Sequence, residues 1–347
     1  MTSTYDDFCS SSCLAFRWVA DPSARWRPGL APAFPDREPG AAIPVGTAEE
    51  VESEIERLVA QQTRGTRAGI FLSAGMDSAI LASFLPAGTP AFTIDFSARG
   101  AVRESERAAV FAARYGLEHH IVPVSWADYL ETMDDLMRRK QAPLHAVEVA
   151  LFKAARLAAS MGVQTLVLGN GADSTFGGLD KLLSRDWTFD DFVKRYTFVD
   201  PRTVLAAPAD ITRIYEPYRH GTAIDYVAFL KEVHGFGVIQ AFENAIGAAG
   251  CAIAEPFEDL KLSAPLDLGR IRSGDSKYII RELFRKRYPG MEAPDKIPFA
   301  RPMDEWLAGW GGPRRVEFAS FDVERLTGDQ KWIVYCLERF MAIMERQ

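Results

Sequence analysis

The sequence predicts an α/β protein: a doubly wound, mostly parallel sheet followed by a helical C-terminal part. Three observations carry this expectation. Short apolar strands alternate with amphipathic helices over roughly residues 66–180. Two of those strands run straight into glycine-containing loops of small residues, 73–78 and 169–178. From about residue 185 to 347 the apolar spacing is mostly helical. Strands that read as continuous apolar runs between helices are covered on both faces, which means parallel βαβ units.

Residues 1–46 are rich in Pro, Ala and Trp and show little periodicity, so they read as an extended N-terminal arm packed on a body spanning 47–347. In the body, Thr47 and Glu50 form a capping box, and Val51, Ile55, Leu58 and Val59 make one apolar helix face. Strand 68–72 then leads to helix 77–85, strand 91–96 to helix 104–115, and strand 120–124 to helices 125–140 and 147–160. Strand 165–168 ends in GNGADSTFGG. In SKYIIRELFRKRYPG, Ile279, Ile280, Leu283 and Phe284 cover one face, while Lys277, Arg281 and Arg285 recur on another that reads first as solvated. RDWTFDDFVKRY reads as a packing helix, and RSGDSKY as a polar capping turn. His119 and His120 alternate in direction, one toward the core and one outward.

Composition bounds the function. The chain has 347 residues, 48% hydrophobic and 25% charged, enough to bury a full core. A net charge of −7 argues against nucleic acid or a membrane surface as partner. No apolar run approaches the roughly 20 residues that span a bilayer, and the first residues have no basic-then-apolar leader pattern. A cytoplasmic protein is expected. Cys9 and Cys13 are four apart, but no second Cys/His pair lies near them, so the four cysteines read as reduced thiols.

The candidate site lies in the two glycine-containing loops, because ligands of such sheets sit at the carboxyl ends of strands. The first, SAGMDS, is not a Walker A loop. It presents backbone N–H groups at a helix start, beside the hydroxyls of Ser73 and Ser78, which suits an anion. Asp77 there would repel a bare phosphate. It makes sense if a Mg²⁺ lies between carboxylate and polyphosphate, and Asp173 in the second loop offers the other carboxylate. Without a ligand, the same Asp77 would simply complement a helix dipole.

Taken with their order, these motifs resemble the synthetase domain of the asparagine synthetase family, within the N-type ATP pyrophosphatases. SAGMDS is similar to the family's S-G-G-x-D-S loop, and GNGADSTFGG to G-E-G-x-D-E-x-F-G-G. EPFEDL, SKYIIRELFRKRYPG, DKIPFARPMDEWL and the paired His of LEHHIV follow the family's remaining segments over roughly 47–310. The resemblance implies the PP-loop fold of the adenine nucleotide alpha-hydrolase type. It also implies ATP and Mg²⁺: a carboxylate is adenylated, pyrophosphate leaves, and an amine then displaces AMP. By match, Ser73, Gly75, Asp77 and Ser78 hold the pyrophosphate end, and Leu72, Leu168 and Gly169 lie against adenosine. Asp77 and Asp173 bind the metal, Lys296 is the catalytic lysine, and Lys277 is a second candidate. Such a cation is worth about 3–4 kcal/mol in the transition state.

Four departures redirect the expectation. The arm is too short for the family's glutaminase domain, so nitrogen would come from ammonia in solution, from a separate amidotransferase subunit, or from another amine. Asn170 replaces the Glu that handles protons, and Asn is no base. β-Lactam synthetases, whose nucleophile is an amine within the substrate, depart at this same position. Ser174 replaces an acid, and Ala74 replaces the second loop glycine, which is workable at negative φ. Ala254 stands where the family has Arg, and 140–145 lacks an acidic residue common there. The partners expected are therefore a small carboxylate other than aspartate and an amine. A non-catalytic nucleotide-binding member and an RNA-modifying pyrophosphatase remain as alternative readings.

Overall fold

The computed structural model describes residues 5–34, 42–294 and 301–346. Its centre is a five-stranded, wholly parallel sheet of β1 (Ala68–Phe71), β2 (Pro90–Phe96), β3 (Glu118–Val124), β4 (Thr165–Val167) and β5 (Ala252–Ala254). The spatial order is β3-β2-β1-β4-β5. The direction of winding reverses between β1 and β4, so the loops after those strands part and leave a crevice at their carboxyl ends. β3 pairs only with β2, and that edge position is why Pro123 is tolerated in it.

The main helices are α1 (Asp7–Phe16), α2 (Ala48–Gln62), α3 (Met76–Ala82), α4 (Ser105–Arg114), α5 (Trp126–Lys140), α6 (Glu148–Ser160), α7 (Gly235–Ala248), α8 (Tyr278–Arg287) and α9 (Gly328–Met344), with further short helices between them, among them Phe189–Tyr196. Strand side chains alternate between two cores. Phe92, Val122 and Leu166 face α1, α5, α6 and α9. Ala91, Ile70 and Val167 face α2, α3, α4 and α8. This is the doubly wound arrangement that the strand–helix alternation predicts. A third, aromatic cluster around Phe192, Tyr215 and Phe229 fills the space beyond the sheet.

The structure corrects the sequence reading in three places. The N-terminal residues are not an extended arm. α1 is buried on every side, with Cys9, Cys13 and Leu14 in the core and Asp6 capping its start. Its serines hide the helical period because each buried hydroxyl is matched to backbone: Ser11 Oγ accepts from Ala209 N–H (2.9 Å), and Ser12 Oγ accepts from Ala20 N–H (2.8 Å). The sheet also extends beyond 66–180, since β5 comes from the stretch read as helical, and Ile43–Val45 pairs in parallel with Leu260–Leu262. Three-residue strands carry too little alternation to read. Lastly, His119 and His120 are both half-buried. One bonds Thr93 Oγ1 (2.8 Å) and the other stacks on Phe92 (5.4 Å).

Candidate active site

A cleft of about 440 Å³ opens at the carboxyl ends of β1 and β4. Leu72, Ser73, Gly75, Asp77, Ser78, Leu168, Gly169, Asn170, Asp173 and Lys277 all line it. Lys296 lies outside the described residues. Two segments about 90 residues apart in the chain are brought together because β1 and β4 are adjacent in the sheet. Gly169 permits the closest approach: a Cβ there would stand 3.1 Å from Asp77 Cβ and 3.2 Å from Ser78 N.

The first loop holds itself shut. Ser73 N–H donates to Ser78 Oγ (3.0 Å), Gly75 N–H to Ser73 Oγ (3.1 Å), and Ala74 N–H to Glu104 Oε2 (3.0 Å). Three of the loop's N–H donors are thus already engaged, and an anion using them would have to replace these acceptors. Glu104 is buried, and burial raises its carboxyl pKa against the opposing pull of the Ala74 hydrogen bond. Ala74 is not among the residues with positive φ, so the lost glycine brings no backbone strain.

Asp77 and Asp173 both meet Lys277. Lys277 Nζ donates to both Asp77 oxygens at 2.5 Å and to Asp173 Oδ1 at 3.0 Å. Lys277 does not belong to the exposed basic face of α8. It precedes the helix in the left-handed region (φ 55), and that turn of the backbone sends its side chain inward. Burial alone would depress its pKa, but the two carboxylates carry it above the usual lysine range. Gly178 makes room: a Cβ there would collide with Asp173 Oδ1 (1.9 Å) and Lys277 Cδ (2.7 Å).

At the neighbouring strand end, Asn170 Nδ2 donates to the buried Glu255 Oε1 (2.7 Å). The far end of the cleft is lined by Arg17, His145 and Arg301. Sequence reasoning missed Arg17, Glu104, His145, Gly178, Glu255 and Arg301. Gly178, Glu255 and Arg301 stand in segments whose motifs the sequence shows, GNGADSTFGG, EPFEDL and DKIPFARPMDEWL, but nothing local singles them out. Among the described residues no group of three or more His, Cys, Asp or Glu side chains is placed to hold a metal. The four cysteines are free and buried, and burial pushes the Cys13 thiol up to about 12. No helix of the described residues is long and apolar enough to cross a membrane.

Among solved structures the chain is similar to the U34-tRNA thiolase NcsA from Methanococcus maripaludis with its 4Fe–4S cluster, at 15% identity and a TM-score of 0.35, over 85% of this chain and 79% of that one. No curated protein matched the chain. The family model described as Asparagine synthase matches residues 50–228, a span that holds both glycine-containing loops and both carboxylates. With more than half of its length matched, the chain belongs to the asparagine synthase family.

Proposed function

We propose that the protein is an ATP-dependent, AMP-forming amide ligase that acts on a carboxylate other than aspartate. The observation that carries this reading is the convergence of Asp77 and Asp173, from two loops at the switch point of the sheet, on one cationic centre. A pure nucleotide binder has no need of so compact a charge cluster.

A magnesium ion fits this donor set. Two hard oxygen groups face a common point, and their side chains remain 23% and 39% exposed to the cleft. Mg²⁺ characteristically takes one or two carboxylates and completes its shell with phosphate oxygens and water. Asp77 and Asp173 would hold it, and it would supply charge neutralisation of the polyphosphate. In the reaction, a carboxylate oxygen of the substrate bonds to the α-phosphorus of ATP as pyrophosphate leaves. The amine nitrogen then bonds to the carbonyl carbon, AMP leaves, and the nitrogen gives up a proton. Ser73, Gly75 and Ser78 surround the pyrophosphate end, while Leu72, Leu168 and Gly169 form the wall for adenosine. Lys277 adds a fixed positive charge, and Lys296 is assigned its role by family resemblance. Asn170 cannot take the proton; its amide is turned to Glu255. The replacements at Asn170 and Ala254 support a changed acceptor pocket. Nitrogen comes from an amine substrate, or from ammonia supplied freely or by an amidotransferase subunit. The free thiols suit a cytoplasmic setting.

Thermal unfolding with and without ATP and Mg²⁺ tests the nucleotide site without knowledge of the substrate. A ligand at about 100 times its Kd adds about 2.7 kcal/mol. The stabilisation is expected to need Mg²⁺ and to vanish in Asp77→Asn. A carboxylate screen should then release AMP and pyrophosphate; ADP and phosphate as products would overturn the reading.

A further inference from the structure

The cleft has a second polar end, and it is cationic. Arg17 closes α1 in the left-handed conformation (φ 68) and lines the cleft, where Arg301 joins it. The two guanidinium groups are compensated differently. Arg301 is bound through Nε and Nη2 by both carboxylate oxygens of Asp329. Arg17 donates Nη1 to His145 Nε2 (3.2 Å), lies 4.9 Å over the Phe198 ring and has the Tyr196 hydroxyl beside it. No carboxylate lies within ion-pairing distance of it among the described residues.

His145 does not supply the missing charge. Burial, then Arg17 and Arg301, drive its pKa well below the usual value, so the ring is a neutral acceptor. Burial likewise lowers the Arg17 pKa. A half-buried guanidinium whose direct partners are neutral, with Asp329 acting on it only from a distance, can still take up an anion. A guanidinium fork is also the group best matched to a carboxylate. The lining of the same cleft also includes the apolar Val147, Leu151, Val238 and Phe242.

We propose that Arg17, backed by Arg301, receives a second carboxylate on the acid substrate, which makes that substrate a dicarboxylic acid with an apolar spacer. Assigning the bound diacid as substrate rests on the ligase reading above. Both arginines lie outside the matched span 50–228, so the receptor is built by segments flanking it.

Calorimetric titration of the full chain tests the receptor. The probes are α,ω-dicarboxylates from malonate to suberate and monocarboxylates of equal length, without nucleotide. At least one diacid is expected to bind about tenfold tighter than its monoacid, the size of one charge-assisted hydrogen-bonded pair. Arg17→Met should bring that ratio near one. Arg17→Lys, which keeps the charge but not the fork, should reduce it and serves if the Met variant does not fold. A ratio near one for every length in the wild type would overturn the proposal, as would an unchanged ratio in either folded variant. Asp77→Asn should lose ATP–Mg²⁺ binding and keep the diacid preference. A preference that persists in a wild type unable to bind ATP–Mg²⁺ would remove the ligase and leave the receptor; the converse would remove only the receptor.

Discussion

Among the buried lysines of the described residues, Lys140 and Lys277 are balanced in different ways. Lys140 meets one carboxylate, Glu148, at 2.5 Å, with side chains 1% and 0% exposed. Glu148 is fully occupied: His145 N–H donates to Oε1 (2.6 Å) and Asn244 Nδ2 to Oε2 (2.7 Å). Lys277, 5% exposed, meets two carboxylates that reach the cleft. The first is a closed account of charge, one against one, and serves the core. The second brings two carboxylates, 23% and 39% exposed, to an open cleft, where an incoming cation can reach them. The exposure of the carboxylates therefore separates a structural ion pair from a candidate site where burial of the lysine alone does not.

The largest expected effect breaks the closed pair. Lys140→Met leaves Glu148 charged and enclosed, and such losses run to about 3–5 kcal/mol. Urea unfolding should show that drop, and a smaller one in Lys277→Met, whose carboxylates retain access to water. The reverse ranking would collapse the distinction. On function the order inverts: Lys277→Met should lower pyrophosphate–ATP exchange by about two orders of magnitude or more. It should also tighten Mg²⁺ binding in the absence of nucleotide, because the competing ammonium is gone; calorimetry showing unchanged affinity would mean that the ammonium does not compete. A pH series sharpens the same comparison. The Lys277 pKa is raised in the folded state despite burial, by Asp77 and then Asp173. Its stabilisation is therefore complete below the unfolded value of about 10.4 and is lost as pH rises through the higher folded value. The stability gap between wild type and Lys277→Met should stay level from neutral pH to about 9.5 and close only above about 10.5. The smallest effect belongs to a third lysine. Lys153 pairs with Asp128 at 2.7 Å but is 37% exposed, so Lys153→Met should cost under about 1 kcal/mol.

What the sequence reveals of this site follows from how local each signal is. Asp77 and Asp173 stand in loops whose small residues and flanking strands mark them without tertiary knowledge. Lys277 was a candidate by its motif, yet its spacing with Arg281 and Arg285 imitates a solvated stripe, and only the left-handed backbone at 277 breaks that stripe. Arg17 left no trace, because it follows a helix whose buried serines conceal the period and because its neighbours come from distant segments. Glu104 is found only through a hydrogen bond to Ala74, thirty positions away. β5 is three residues long, and its strand character comes from the open edge of β4 rather than from its own pattern.

That edge has a consequence for biosynthesis. β4 pairs with β1 through Ala68–Thr165, but its other side waits for Ala252, which is made more than eighty residues later. Until Ala252–Ala254 is made, the backbone edge of β4 on that side has no partner strand from this sheet. Open edges of this kind template wrong pairings, and long-range parallel pairing is slow to form. The growing chain is thus most exposed to aggregation over this interval. Because Glu255 directly follows β5, the interval ends as the acid that meets Asn170 comes into place.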